Sequence, residues 1–236
     1  MKVAVLIPAH DEASILEANA KRVWEWGRAA FGDGFILVLS ENGSRDNTVW
    51  VSKVLEKALP GLVTISSRNA GKGGAIKRAA AAVEADVYLF MDADLSADLG
   101  SAEQLVRLVA NGADTVIGSR RTEGAEVERP LLRQVVTAAY AFVSEMLLQL
   151  GVRDPQCGCK AFSRRVRDEV VPIVNDDGFF FDSEFLARLR QRGMKIQERG
   201  IRWVERQKAS GGSKVRLIPT GIVFLKKALT LRKDLR

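Results

Sequence analysis

The feature that most constrains this chain is a repeated alternation, through its first half, of short apolar runs with longer amphipathic ones. Val3–Ile7, Phe35–Leu39, Val63–Ser66, Val87–Met91 and Asp114–Gly118 read as strands. Between them Ala13–Arg28, Asp46–Leu59, Gly73–Glu84 and Ala102–Ala110 carry helical periodicity. Strands that are apolar on both faces need helices on both sides, so the pattern predicts an α/β fold with a mostly parallel sheet. At 236 residues and 47% hydrophobic content, the chain is long enough to bury one such core. In sheets of this kind, ligands bind beyond the carboxyl ends of the strands. That rule gathers Pro8–Glu12, Glu41–Ser44, Asn69–Gly74 and Asp92–Asp98 at one edge.

After Gly118 the alternation fades. Ser119–Pro130 reads as a charged loop, Leu131–Leu150 as a long helix, and Asp154–Phe162 as a turn leading into a short strand. Phe179–Arg192 becomes a helix, Met194–Val204 reads as one last strand, and Gly211–Lys214 as a loop. The expected division is a catalytic domain over 1–218 followed by a basic amphipathic helix over 219–236.

The Val87–Met91 strand ends in Asp92 and Asp94. An unpaired buried carboxylate is costly, so two acids closing a buried strand suggest a cation that meets them there. A hard divalent ion such as Mg²⁺ or Mn²⁺ suits oxygen ligands and leaves positions for phosphate. The plainer alternative is a strand end followed by an acidic turn.

Other motifs exclude whole classes. The glycine loop Asn69–Ala75 opens a helix, whose N-terminal N–H groups suit an anion. It matches neither the P-loop nor the dinucleotide-binding glycine pattern. The single histidine, His10, excludes a His-rich metal site; the spacing of Cys157 and Cys159 disfavours a disulfide between them, and two thiols without a second pair make a poor zinc site; they read as reduced thiols in a turn. The N-terminus reads as a strand instead of a signal peptide. Leu131–Leu150 approaches a membrane span but is interrupted by Arg133, Gln134, Glu145 and Gln149. The expectation is a cytoplasmic protein, peripheral on the cytoplasmic face of a membrane. With a net charge of +7 a nucleic-acid binder is permitted, but no helix-turn-helix, zinc or RNP pattern supports one, so no nucleic-acid partner is expected.

Taken together, the segments IPAHDE (7–12), ENGSRDNT (41–48), RNAGKGGAI (68–76), DADLSAD (92–98), IGSRR (117–121), QCGCKAF (156–162), FFFDSEFL (179–186) and GGSKVRL (211–217) resemble family-2 glycosyltransferases of GT-A fold. They look most like the branch that glycosylates polyprenyl or dolichyl phosphate, and more like its glucose synthases than its mannose synthases. The resemblance implies that Pro8, His10 and Glu12 line a uracil and ribose pocket, with Asn42 where the family usually has an aspartate contacting the base. Gly71 and Lys72 fall within its glycine motif, on the nucleotide-sugar side. It further implies that Asp92 and Asp94 hold the metal, with Ser96 where mannose synthases often carry glutamine. Arg120 and Arg133 would clasp the acceptor phosphate and donor diphosphate, and Lys214 would close over the diphosphate. Asp182 and Glu184 would act as base or as partners for Lys or Arg, while Arg121 and Arg129 read as plain surface.

The reaction this implies is an inverting, metal-assisted transfer of a hexose from a nucleotide sugar, UDP-glucose before GDP-mannose, to a polyprenyl phosphate. A phosphate monoester is largely dianionic at neutral pH, its second pKa being ~6, so it needs positive charge more than a strong base. Were the acceptor a soluble sugar instead, Asp182 or Glu184 would serve as base. The last 23 residues, from Lys214, carry seven Lys or Arg and one acid. Taken as a helix, Phe224, Ala228, Leu231 and Leu235 form one apolar stripe, so the tail is expected to lie on an anionic membrane surface.

Overall fold

A computed structural model of the chain describes residues 1–205 and 217–235. Among the described residues the expected strands form the sheet, the first three slightly extended, the fourth as expected and the fifth shifted by one residue: β1 (Val3–Ala9), β2 (Phe35–Asn42), β3 (Leu62–Ser67), β4 (Val87–Met91) and β5 (Thr115–Ser119). The helices between them are α1 (Ala13–Phe31), α2 (Thr48–Ala58), α3 (Lys72–Ala82) and α4 (Leu99–Ala110). Asp98 starts α4 early, as an N-cap that accepts the Ser101 N–H at 3.0 Å, three residues on.

The second half adds β6 (Glu126–Glu128), α5 (Leu131–Leu148), β7 (Cys159–Ser163), α6 (Arg164–Glu169), α7 (Phe181–Gln191), β8 (Ile196–Gly200), β9 (Arg202–Val204) and α8 (Leu217–Asp234). Among the described residues, the main sheet has seven strands in the order β3-β2-β1-β4-β7-β5-β8. β1 to β4 run parallel, β7 inserts antiparallel between β4 and β5, and β8 pairs parallel with β5. The order reverses where β1 lies between β2 and β4, the topological position at which such sheets open a crevice.

Strand alternation decides which helix covers which face. Val3, Val5 and Ile7 point with Leu89 and Met91 into a core closed by α1, α2 and α4. Ala4 and Leu6 point with Tyr88, Phe90 and Phe162 into a second core closed by α3, α6, α7 and α8. On that side Phe162 stacks on Tyr88 at 5.4 Å between ring centroids, and Phe181 on Phe185 at 5.7 Å.

Three expectations are corrected here. Met194–Val204 is not one strand: the chain leaves the main sheet after Gly200 and enters a two-stranded sheet as β9 beside β6. Gly200 stands at the break, where the 123–125 loop approaches so closely that a Cβ would fall 2.4 Å from the Glu123 carbonyl oxygen. The tail stripe does not face outward, because Phe224, Ala228 and Leu231 are buried in the second core, with Phe224 against Tyr140 and Phe180. Finally, α5 is much more exposed than a soluble domain's helix ordinarily is. Among the described residues it is the one helix long and apolar enough, by length and composition, to cross a membrane, and only 17% of it is buried.

Candidate active site

The four predicted segments do meet at the carboxyl ends of β1, β2 and β4. Asn42 ends β2 and knits them: its side-chain amide donates to the Ala9 carbonyl at 2.9 Å and its side-chain oxygen accepts the Gly71 N–H at 3.0 Å. His10 Nδ1 donates to the Asn42 carbonyl at 2.8 Å. Glu12 caps the start of α1 while its N–H donates to Thr48 Oγ1 at 2.8 Å. Pro8, half-buried, stands on β1 opposite Ser40. Asn42 is thus buried and committed to backbone partners on two sides, which gives it a loop-holding task that the sequence did not disclose.

The glycine loop departs from its expected use. The Gly73 and Gly74 N–H groups at the start of α3 donate to the Gly178 and Asp177 carbonyls, at 3.2 and 3.0 Å. The first turn of this helix is therefore closed by protein, and it is not an open anion cradle. A Cβ at Gly73 would lie 2.5 Å from Phe181 Cβ, so glycine is needed for close packing of α3 on α7. Gly71 itself holds φ at +152°, where its missing side chain clears the Asp177 carbonyl.

What α3 delivers is Lys72. Its ammonium lies 2.9 Å from Asp92 Oδ1 and 3.5 Å from Asp182 Oδ2. Burial alone would lower its pKa, but Asp182 and Asp92 outweigh that and hold it above the usual lysine range. The fully buried Lys160 on β7 pairs with the other oxygen of Asp182. Asp182 is therefore clamped between two ammonium groups. Glu184, two residues on, accepts the Asp176 N–H at 2.9 Å and pairs with Arg188. In this arrangement both acids are engaged by protein partners, Asp182 by Lys72 and Lys160, Glu184 by Arg188 and the Asp176 N–H.

Asp92 and Asp94 sit on the turn that follows β4, with Leu95 in the left-handed region at φ +51°. Asp94 Oδ1 accepts the Ser96 N–H at 3.0 Å, and Ser96 is buried. Two carboxylates with hard oxygen donors, both half-buried, fit a Mg²⁺ or Mn²⁺ ion. Among the described residues no cluster of three His, Cys, Asp or Glu groups is gathered to complete the shell, so phosphate or water oxygens would have to do so. Lys214 lies outside the described residues.

On the far side of these acids, arginines gather. Arg120 forms a two-pronged pair with the buried Asp154, Nε to Oδ2 and Nη2 to Oδ1 both at 2.7 Å, and its guanidinium lies 4.8 Å from the Trp203 ring. Against burial, Asp154 holds its pKa above the arginine range, and Asp92 adds to that field. Arg129 and Arg133 share one carboxylate, Glu205. Burial, reinforced by Arg120, lowers the Arg129 pKa to about 10. The sequence reading of Arg129 as plain surface is corrected, since it is half-buried and paired with Glu205, while Arg121 is exposed as expected; both line a cleft of about 330 Å³ with Arg120, Val127, Leu131, Val135 and Ala138. Crowded like charges next to an apolar wall could have been suspected from the spacing of Arg120, Arg121, Arg129 and Arg133, but Glu205 could not.

A nucleotide-binding type of sheet with a carboxylate pair at its crevice defines the class, and comparison with known proteins makes it specific. Residues 4–171 match the family described as Glycosyl transferase family 2, and the chain belongs to that family. It is 32% identical over 222 residues to the glycosyltransferase AglD of Haloferax volcanii, covering 92% of this chain but 35% of that protein. It is 25% identical to a dolichyl-phosphate beta-glucosyltransferase of Dictyostelium discoideum, over 98% of this chain and 73% of the relative. It is 29% identical to a dolichol-phosphate mannosyltransferase of Pyrococcus furiosus, over 80% of this chain and 53% of the relative. The fold is shared with glucosyl-3-phosphoglycerate synthase from Mycobacterium tuberculosis, solved with Mn²⁺, UDP-glucose and phosphoglyceric acid, at TM-score 0.67 and 19% identity, covering 100% of this chain and 80% of that one.

Proposed function

We propose that this chain transfers a hexosyl unit from a nucleotide sugar, UDP-glucose before GDP-mannose, to a polyprenyl or dolichyl phosphate. The observation that carries the proposal is the cleft in which Arg120, Arg121 and Arg129, with Arg133 beside them, meet the apolar wall of Leu131, Val135 and Ala138. Among the described residues, four arginines outnumber the two carboxylates paired with them, Asp154 and Glu205. An excess of guanidinium forks beside an apolar wall matches an anionic phosphate attached to a hydrocarbon. The engaged states of Asp182 and Glu184 agree with such an acceptor, since a dianionic phosphate oxygen attacks without surrendering a proton.

Asp92 and Asp94 are the residues that would hold Mg²⁺ or Mn²⁺, which supplies charge neutralisation for the departing diphosphate. Pro8, His10 and Glu12 would border the base and ribose. Preference for a glucose donor is supported by the QCGCKAF and FFFDSEFL segments and by relatives named as dolichyl-phosphate beta-glucosyltransferases.

The acceptor also explains the exposed apolar surface. α5 presents Leu131, Leu132, Val135, Phe142 and Met146, and α8, packed beside it through Tyr140 and Phe224, presents Ile222, Val223, Leu225 and Leu229. This two-helix face, not the stripe of α8 that packs inward, is what would meet a membrane surface. Incubation with UDP-glucose or GDP-mannose, Mn²⁺ or Mg²⁺, and a polyprenyl phosphate should yield a lipid-linked hexose; no product with any of these donors would overturn the proposal.

A further inference from the structure

Lys160 is a fully buried charge that takes no direct part in the reaction set out above. It stands in mid-strand on β7, opposite Phe90 of β4, on the sheet face that α3 and α7 cover, and is 0% exposed. Its ammonium donates to the Cys157 carbonyl at 2.6 Å, pairs with Asp182 and lies 5.2 Å from the centre of the Phe90 ring. A buried ion pair contributes little net stability compared with well-packed apolar side chains, so stability alone gives a poor reason for one in the middle of a sheet.

The contacts that follow supply another reason. Asp182 uses its second oxygen on Lys72, 3.5 Å away, and Lys72 places its ammonium 2.9 Å from Asp92 Oδ1. Four groups of alternating sign thus run from the sheet interior to the crevice, from Lys160 through Asp182 and Lys72 to Asp92. Exposure rises along the string, from 0% at the Lys160 side chain to 36% at that of Asp92. In so dry a setting each charge fixes the position of the next, because a rotamer that separated them would leave an uncompensated buried ion.

We propose that Lys160 is a positioning residue for the nucleotide-sugar site, acting through Asp182 and Lys72 to hold the Asp92 carboxylate in its binding orientation. The inference rests on the functional reading that places Asp92 in the donor site. It predicts that the relay governs donor binding and leaves the arginine cleft alone.

The test replaces the inner pair together, Lys160→Met with Asp182→Asn, because removing both charges leaves no unpaired buried ion. UDP and GDP affinities are measured by calorimetry with Mn²⁺, alongside donor and acceptor KM, kcat and the thermal midpoint. The expected result is at least a tenfold weaker nucleotide and a donor KM raised to match, with acceptor KM unchanged. A purely structural role would instead lower the active fraction, and so the apparent kcat, at constant KM. If the pair variant fails to fold, Lys160→Gln, which keeps a donor for the Cys157 carbonyl, carries the same expectation. Donor KM and nucleotide affinity within twofold of the unaltered chain in a folded variant would overturn the relay. An unaltered chain that binds neither nucleotide would instead overturn the functional reading beneath it.

Discussion

Gly158 and Asp92 are fitted to one another: a methyl group on the Gly158 Cα would lie 1.9 Å from Asp92 Oδ2. The Asp92 N–H also donates to the Gly158 carbonyl, at 3.2 Å. With Lys72 on Oδ1, the carboxylate is held from both sides, by an ammonium and by bare backbone. Gly158→Ala must therefore push the carboxylate away. Nucleoside diphosphate affinity is expected to fall at least tenfold, about 1.4 kcal/mol, as read by calorimetry. Unchanged affinity would show that the orientation of Asp92 is immaterial.

Asp94 lies on the same turn, where its Oδ1 accepts the Ser96 N–H. Asp94→Asn retains an oxygen for the Ser96 N–H but loses the charge that a divalent ion requires. Transfer should drop by at least about 10²-fold, with the thermal midpoint within a few degrees of the parent. Full turnover in excess chelator would contradict the metal assignment.

The two arginines singled out from the sequence should behave differently. Arg120→Ala strips Asp154, which is fully buried, of its partner, and a destabilisation of about 3–5 kcal/mol is expected in urea titrations. Arg133→Ala leaves Glu205 paired with Arg129, so stability should change by less than ~1 kcal/mol while acceptor KM rises. Glu205→Gln releases both Arg129 and Arg133, and should lower acceptor KM. Equal effects of Arg120→Ala and Arg133→Ala on stability would refute this division.

Cys157 and Cys159 are both fully buried, and burial pushes the Cys157 thiol up to about 12. Neither should react with a thiol reagent at pH 8 until the chain is unfolded. For Cys157, both states keep the proton below the usual thiol value of 9.0, so it makes no pH-dependent contribution there. Between that value and about 12, only the unfolded chain ionises, so stability falls as pH rises through this window. Cys157→Ala should flatten that fall, measured as the change in urea midpoint between pH 8 and pH 10.

The two faces of α8 give the membrane proposal a sharp control. Phe224 is buried, so Phe224→Ala should cost about 3–5 kcal/mol of stability. Phe142 and Met146 are exposed on α5, so changing both to serine should leave the fold intact. That double variant should sediment poorly with anionic liposomes. Undiminished sedimentation would remove the α5 face from the proposal.

The alternation of strands and helices over the first half was legible from the sequence, because strand and helix periods are properties of nearby residues. So was the crevice: once the strands run parallel, their carboxyl ends share one edge, and Asp92, Asp94, His10 and Asn42 follow to it. What adjacency could not reveal is how distant charges pair. Asp182 and Glu184 read equally as base or as partners for Lys or Arg until α7 packs on α3 and sets Asp182 between Lys72 and Lys160, more than twenty residues away in the chain on either path. Arg129 reads as surface until Glu205 and the cleft close around it. The tail stripe fits a membrane and a protein core equally well, since both are apolar. Only the tertiary structure decided between them, by supplying Tyr140 and Phe180 as the surface on which Phe224 is buried.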